Sequence, residues 1–184
     1  FTGTVTGSVF NNNVATGTTI TDCDITVTCN SHMIAQTSGD VSFTNSTVDF
    51  TSTLDDDICN STGTGATTIT GNTITVSGNP RALYRTGTAS NTGAISITDN
   101  IFTATAAVGE TILVNIGSHD VTITGNTFTY PATQNSTYTI RIIDQAAPII
   151  SNNTIDTRLA IVSLEHIRVT STGVTTIPVI QNNT

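Results

Sequence analysis

The stretch Ile69-Thr70-Gly71-Asn72-Thr73-Ile74 is repeated along the chain. Copies of it begin, in chain order, at Ile20, Phe43, Ile69, Ile97, Ile123, Ile150 and Ile180. Successive copies start 23, 26, 28, 26, 27 and 30 residues apart. A period in this range is typical of a solenoid, in which each repeat stacks on the next.

Each period divides into the same three extended segments. Apolar and hydroxyl residues alternate, as in Val121-Thr122-Ile123-Thr124, and Thr, Val and Ile fit a pleated surface well. A first strand ends in an apolar residue and a Thr, a short Gly/Asp-Asn turn follows, and a second strand begins with Ile, Phe or Val. After a variable loop we expect a third strand, at 33–35, 58–60, 82–85, 112–115, 139–142 and 166–169.

Three strands and a period of about 26 residues predict an all-β fold, a single-stranded parallel β-helix. We interpret residues 1–184 as one domain, with an imperfect first rung at 1–19 and regular rungs at 20–184. About seven rungs are expected, stacked ~4.8 Å apart. Right-handed winding is expected, as in nearly all parallel crossovers.

The fourth motif residue is Asn in five copies: Asn72, Asn100, Asn126, Asn153 and Asn183. We expect these residues to stack in the turn, to bond the rungs above and below, and to adopt left-handed backbone. Cys23 and Ser46 take this position in the first two copies, so the register there stays open. Ile69 and its equivalents predict one internal column and Ile74 and its equivalents a second, each side chain contributing ~1.5–3 kcal/mol.

Because of this repeated turn asparagine, the chain from about Ile20 to Thr184 resembles the right-handed parallel β-helix repeat family. That repeat is found in polysaccharide lyases and hydrolases, periplasmic copper-site maturation proteins, phage tailspikes and archaeal adhesin-like surface proteins. The resemblance implies the fold and hardly restricts the function, because one fold hosts many activities.

The charge balance excludes some partners. Lys and Arg together number 5 against 13 Asp and Glu, and the net charge is −8. Nucleic acid and anionic membrane surfaces are disfavoured, since both need clustered cations. The sequence has no apolar run of about 18 residues, so we predict no membrane insertion. No signal segment begins the sequence, and a secreted protein would be present here as its processed form or a fragment.

Cysteines and Asn-x-Ser/Thr sequences give weaker signals. Cys23, Cys29 and Cys59 are too few for a disulfide framework, and small half-buried thiols are favoured over a Cys23–Cys29 bridge. Candidate glycosylation sites begin at Asn45, Asn60, Asn135, Asn152 and Asn182. A chain rich in Asn and Thr forms several such sequences by chance, so they support an extracellular location only weakly.

Acidic residues do not converge in the sequence. Asp55, Asp56 and Asp57 form the densest cluster, which we interpret as a solvated loop, with a calcium site as the alternative. A polysaccharide-cleaving site needs two or three carboxylates on one groove, and the other acids occur singly. We predict no catalytic residue and no cofactor. Three histidines lie too far apart for a shared metal: His32, His119 and His166.

Arginines and tyrosines are the candidate glycan contacts. Arg141 and Arg168 take equivalent positions in adjacent third strands, with Arg85 two rungs below. With Tyr84 they could bind an acidic glycan, and Tyr130 and Tyr138 are further exposed-looking aromatics. The favoured interpretation is that the arginines neutralise nearby acids, namely Asp144, Asp156 and Glu165.

Hydroxyls also flank the inward residue of each first strand. The pairs are Thr19/Thr21, Ser42/Thr44, Thr68/Thr70, Ser96/Thr98 and Thr122/Thr124. Such flat files resemble ice-binding solenoids, but they break at Ile149/Ser151 and Val179/Gln181, and outward Thr also has high β-propensity. Ice binding is therefore a lesser alternative.

A solenoid needs polar caps, and Thr184 ends the sequence inside a motif. We expect a longer rod, or association with other copies as a head-to-tail filament or a homotrimer. The predicted function is an extracellular structural or adhesive protein of a cell or virion surface, which contacts glycans. The alternative is a polysaccharide-degrading enzyme of tailspike or lyase type.

Overall fold

The protein is a three-sided parallel β-solenoid. A computed structural model describes residues 1–13, 15–86, 93–106, 108–115, 120–131, 138–143, 148–156, 165–170 and 177–184. All regular structure in these residues is strand, and every strand pairing is parallel. None of them forms a helix that is long and apolar enough to cross a membrane.

The first face is a seven-stranded sheet whose strands stack without a register shift. Its strands are β3 (Thr18–Thr21), β6 (Val41–Thr44), β8 (Thr67–Thr70), β10 (Ile95–Thr98), β13 (Val121–Thr124), β16 (Ile149–Ser151) and β19 (Val179–Gln181). The strands pair in motif register from Ile20 onward, so the open register of the first two copies is now settled.

The second and third faces share one sheet. The second face contains β1 (Thr2–Val5), β4 (Asp24–Cys29), β11 (Ile101–Ala104), β14 (Thr127–Thr129) and β17 (Thr154–Asp156). The third face contains β2 (Phe10–Asn12), β5 (Ile34–Gln36), β12 (Ile112–Val114), β15 (Tyr138–Ile143) and β18 (Glu165–Thr170). Two long strands run through both faces: β7 (Thr47–Ser61) and β9 (Thr73–Thr86).

All six third strands expected from the sequence are present. The variable loop expected before each of them is absent from β7 and β9, where the strand continues across the corner. A register irregularity between Ser52 and Asp57 accommodates this corner in β7. Within the described residues, rungs with all three segments begin at β3, β6, β8, β10, β13 and β16, slightly fewer than the expected seven, because β1–β2 and β19 belong to incomplete rungs. The hand of winding stays a prediction.

The turn between the first and second faces contains the asparagine ladder, defined as Asn72, Asn100, Asn126, Asn153 and Asn183. Asn100 shows the pattern: its Nδ2 donates to Oδ1 of Asn126 at 2.9 Å and to the carbonyl of Ile69 at 2.8 Å, and its backbone N–H donates to the same Oδ1 at 3.0 Å. Asn72, Asn126 and Asn153 repeat these three bonds. The predicted bonding between rungs is therefore confirmed.

The left-handed backbone lies one residue earlier than predicted. It occurs at the third motif position, with φ between 52° and 71°, and we call these residues the turn-edge column: Asp22, Asn45, Gly71, Asp99, Gly125, Asn152 and Asn182. The ladder side chains must point inward to reach the next rung, so the preceding residue makes the bend. Ser46 and Cys23 extend the ladder: Ser46 N–H donates to Oδ1 of Asn72 at 2.9 Å, and Cys23 N–H donates to Oγ of Ser46 at 3.1 Å.

Two apolar columns fill the interior beside this turn, as predicted. Ile69, Ile97, Ile123 and Ile150 are buried in the first, and Ile74, Phe102 and Phe128 in the second. Ile180 belongs to the first column and is half exposed, because no described rung covers it. Ile155, at the same end of the second column, is partly buried.

A second polar column was missed from the sequence. It consists of the last residues of four strands, which pair in register on the third face and are all fully buried: Asn12, Gln36, Ser61 and Thr86. Gln36 Nε2 donates to the carbonyl of Gly39 at 2.7 Å, and Thr67 Oγ1 donates to Oε1 of Gln36 at 2.7 Å. Four different residue types occupy this position, so no recurring residue in the sequence indicates the column.

Glycines allow the loops that return to the first face to stack tightly. A Cβ on Gly65 would lie 1.7 Å from the carbonyl oxygen of Gly39, and a Cβ on Gly93 would lie 2.1 Å from that of Gly65. Any side chain here would therefore separate the rungs.

The three cysteines are free, as the favoured interpretation predicted. Cys29 and Cys59 are buried and Cys23 is half-buried. The Cys23–Cys29 bridge is therefore not formed.

Candidate functional site

The third face carries the arginine file, defined as Arg85, Arg141 and Arg168. Arg85 pairs in register with Leu113, Leu113 with Arg141, and Arg141 with Arg168. This places Arg141 and Arg168 in adjacent rungs and Arg85 two rungs below, as the spacing predicted. In β15 the residues on either side of Arg141 are buried, so the guanidinium projects from the outer surface.

Tyr138 joins the two neighbouring arginines. The Cζ atoms of Arg141 and Arg168 each lie 5.3 Å from the centroid of the Tyr138 ring. Both distances are within the range of a cation–π interaction. Arg168 Nη1 also donates a hydrogen bond to the Tyr138 hydroxyl. Tyr138 is thus the half-buried aromatic centre of a cationic surface, together with two arginines from consecutive rungs.

Arg141 has an acidic partner that the sequence did not suggest. Its Nη1 donates to Oε1 of Glu110 at 2.7 Å, and the two side chains are 33% and 25% exposed. Glu110 lies just before β12, in the preceding rung, so the pair forms between rungs and not along the chain. Of the acids proposed as partners, Asp156 lies on the second face, and Asp144 and the Glu165 side chain lie outside the described residues.

Two of the three tyrosines are not surface residues. Tyr84 is fully buried, because it pairs in register with Cys59 and Ile112 and faces the core. Its predicted contact with an outside glycan is therefore wrong. Tyr130 is also buried, its hydroxyl lies 2.6 Å from Thr111 Oγ1, and burial raises the pKa of its phenol.

The acidic cluster lies inside strand β7 and not in a loop. Asp56 and Asp57 are buried, so the solvated-loop interpretation is wrong for both, and the Asp55 side chain lies outside the description. The register of β7 against β9 shifts at this corner, between Ser52 and Asp57. Ser52 Oγ lies 3.1 Å from Oδ2 of Asp56 and also donates to the carbonyl of Leu54, so the carboxylate shares this hydroxyl with the backbone.

Asp57 has a different environment. Its Oδ2 accepts a hydrogen bond from Asn60 Nδ2 at 2.8 Å and lies 3.5 Å from Nδ1 of His32, which is partly exposed. Burial raises the pKa of the Cys59 thiol, and the Asp57 carboxylate raises it further. Calcium binding at Asp55–Asp57 is untested and stays a prediction.

Metal-ligating residues do not cluster in the described part of the chain. No group of three or more His, Cys, Asp or Glu side chains there could hold a metal ion. His32 and His166 belong to different rungs, at opposite ends of the third face, and His119 lies outside the described residues.

The hydroxyl files of the first face are in register as predicted. In the file nearest the turn, hydroxyls bond one another in pairs: Thr21 with Thr44, Thr70 with Thr98, and Thr124 with Ser151. The distances are 3.1, 2.9 and 3.1 Å. Each bond uses hydrogen-bonding capacity that an ice surface would otherwise engage.

The candidate glycosylation sites fall into two environments. Asn45, Asn152 and Asn182 belong to the turn-edge column and are exposed. Asn60 is half-buried in β7, and Asn135 lies outside the described residues.

Comparison with known proteins finds no match for this chain among protein-family models, curated proteins or solved structures.

Proposed function

We propose that the chain is a rigid rod module of an extracellular structural or adhesive protein, and that its third face contacts an acidic glycan. The observation that carries the proposal is the asparagine ladder, whose bonds connect consecutive rungs from Ser46 to Asn183. A satisfied buried polar network fixes one arrangement of the elements it connects. Such a rod keeps surface residues from different rungs at constant spacing.

The arginine file supports the adhesive part of the proposal. Adjacent rungs are ~4.8 Å apart, so Arg141 and Arg168 present two guanidiniums along the rod axis. A guanidinium binds a carboxylate through paired N–H donors, and an aromatic ring packs against a sugar's apolar face. The file with Tyr138 therefore suits a glycan bearing carboxylates.

Binding to polygalacturonate, with neutral dextran as the comparison, tests this part. Arg141→Gln is expected to weaken binding roughly tenfold, the order of one charge-assisted hydrogen bond. Glu110→Gln is the reciprocal variant, and it is expected to strengthen binding because it frees Arg141 from a competing carboxylate. Equal affinity for the acidic and neutral polymers would reject the acidic-glycan proposal, and the melting temperature of each variant shows whether the rod stays folded.

Two further experiments address the remaining expectations. Electron microscopy of the purified protein distinguishes single rods from head-to-tail filaments or trimers, which stay a prediction. Release of reducing ends from the same polysaccharides would establish the enzymatic alternative.

A further inference from the structure

The turn edge carries three Asn-x-Thr sequences in one structural position. Asn45, Asn152 and Asn182 have φ values of 52°, 56° and 54° and exposed side chains. Within the described part of the chain, the side-chain amides of these three asparagines make no hydrogen bond. The Thr residues that complete these sequences are exposed too: Thr47, Thr154 and Thr184.

Adjacent asparagines in the same turns have the opposite environment. Asn153 follows Asn152 and is fully buried, with Nδ2 bonded to the carbonyl of Ile123 and to Asn183 Oδ1. The turn therefore points one amide into the ladder and the preceding amide into solvent. Two identical residues side by side differ completely in the availability of their nitrogen.

Asn60 also begins an Asn-x-Thr sequence, but its side-chain nitrogen is not available for modification. Its Nδ2 donates to the fully buried Asp57 carboxylate at 2.8 Å. Ser61 is fully buried, and the Thr62 hydroxyl donates to the carbonyl of Gln36 at 3.4 Å. Modification at Asn60 would break a hydrogen bond to a charged group and would require the strand to open.

We propose that the folded rod accepts N-linked sugars at Asn45, Asn152 and Asn182, and not at Asn60. The donor is a nucleotide-activated sugar. Nδ2 of the asparagine forms a bond to the anomeric carbon while the bond from that carbon to the phosphate oxygen breaks. The nucleoside diphosphate leaves, and one Nδ2 proton passes to the base of the transferase.

The turn edge lies opposite the third face, because it joins the other two faces of a three-sided rod. Sugars on this edge would extend away from the arginine file and leave it uncovered. Adjacent rungs are ~4.8 Å apart, so Asn152 and Asn182 would place two sugars side by side at one end. Asn45 would place the third near the other end.

The test uses the folded protein, a soluble N-glycosyltransferase specific for Asn-x-Ser/Thr, and UDP-glucose. Peptide mass spectrometry over time is expected to find one hexose at each of Asn45, Asn152 and Asn182. Transfer to Asn60 is expected to be about tenfold slower or more, because the bond to Asp57 must break first.

The urea-unfolded chain is the control, since it exposes all four asparagines and should be modified at each. Asn60→Gln should leave the hexose count of the folded protein unchanged and lower that of the unfolded chain by one. The proposal is overturned if folded protein is modified at Asn60 as fast as unfolded chain, or if any of the three turn-edge sites reacts only after unfolding. Asn135 is followed as a separate peptide.

Discussion

At the scale of single residues, each ladder asparagine connects three rungs. Asn100→Ala would remove its side-chain bonds to Asn126 and Ile69, and it would leave the backbone N–H and one Nδ2 proton of Asn72 without an acceptor. Each buried group left unsatisfied costs roughly 1–3 kcal/mol, so a loss of about 3 kcal/mol or more in the free energy of unfolding is expected. Urea denaturation measures it.

Asn152→Gly is the matched control for that substitution. Asn152 is exposed and left-handed, and Gly already occupies the same position at Gly71 and Gly125. A change within about 0.5 kcal/mol is expected, as for most surface substitutions. If both variants lost the same stability, the ladder would not be the cause.

The buried thiol of Cys59 and the buried phenol of Tyr130 predict that the folded protein becomes less stable at alkaline pH. Burial raises the pKa of Cys59 above its ordinary 9.0 and that of Tyr130 above its ordinary 10.0. Each group keeps its proton in the folded protein where the unfolded chain has lost it. The free energy of unfolding should therefore be level at neutral pH and fall as pH rises above about 9.

Cys59→Ala separates this effect from general alkaline damage. The variant loses stability at neutral pH through a smaller side chain, but its further loss between about pH 8 and pH 10 should be smaller than that of the unchanged protein. Urea midpoints across this range measure both slopes. Identical slopes would show that Cys59 does not carry the dependence, while Cys29, whose pKa burial also raises, would remain a contributor.

At the scale of elements, the loops that return to the first face limit how closely rungs can stack. Gly65→Ala would place a Cβ 1.7 Å from the Gly39 carbonyl oxygen, so neighbouring rungs must move apart. The melting temperature should fall by several degrees, since a loss of 1 kcal/mol corresponds to about 2–4 °C in a chain of this size. Gly3→Ala, whose Cβ would lie 3.6 Å from Phe1, should leave the melting temperature nearly unchanged.

The elements also show what a sequence can reveal. The three strands, the ladder and the inner columns were predicted from residues that recur once per period. These predictions succeed because every rung packs on its neighbours in the same way, so that Asn100 and Ile97 have equivalents in the next rung. Contacts between rungs without a repeated residue type were missed, as for Gln36 in the buried polar column and Glu110 beside Arg141. Tyr84 is buried on the same side of its strand as Ala82, although a phenol is a residue type that the sequence alone allows at the surface.

At the scale of the whole molecule, charge is distributed unevenly. The net charge is −8, yet Arg85, Arg141 and Arg168 lie in one file. Attraction of an acidic polymer to this file should be screened, so binding of polygalacturonate should weaken as salt rises from about 0.05 to about 0.5 M. Binding that is unaffected by salt, measured by surface plasmon resonance, would argue against contact through the arginines.

The direction of the ladder has a consequence for synthesis. The amides of Asn72, Asn100, Asn126 and Asn153 each donate to the ladder asparagine of the rung that follows in the chain. While the chain is being made, the newest turn therefore has amides whose acceptors have not yet emerged. The ladder bonds of a rung are complete only when the next rung has been synthesised. We therefore expect the folded part of the rod to end one rung before the most recently synthesised one.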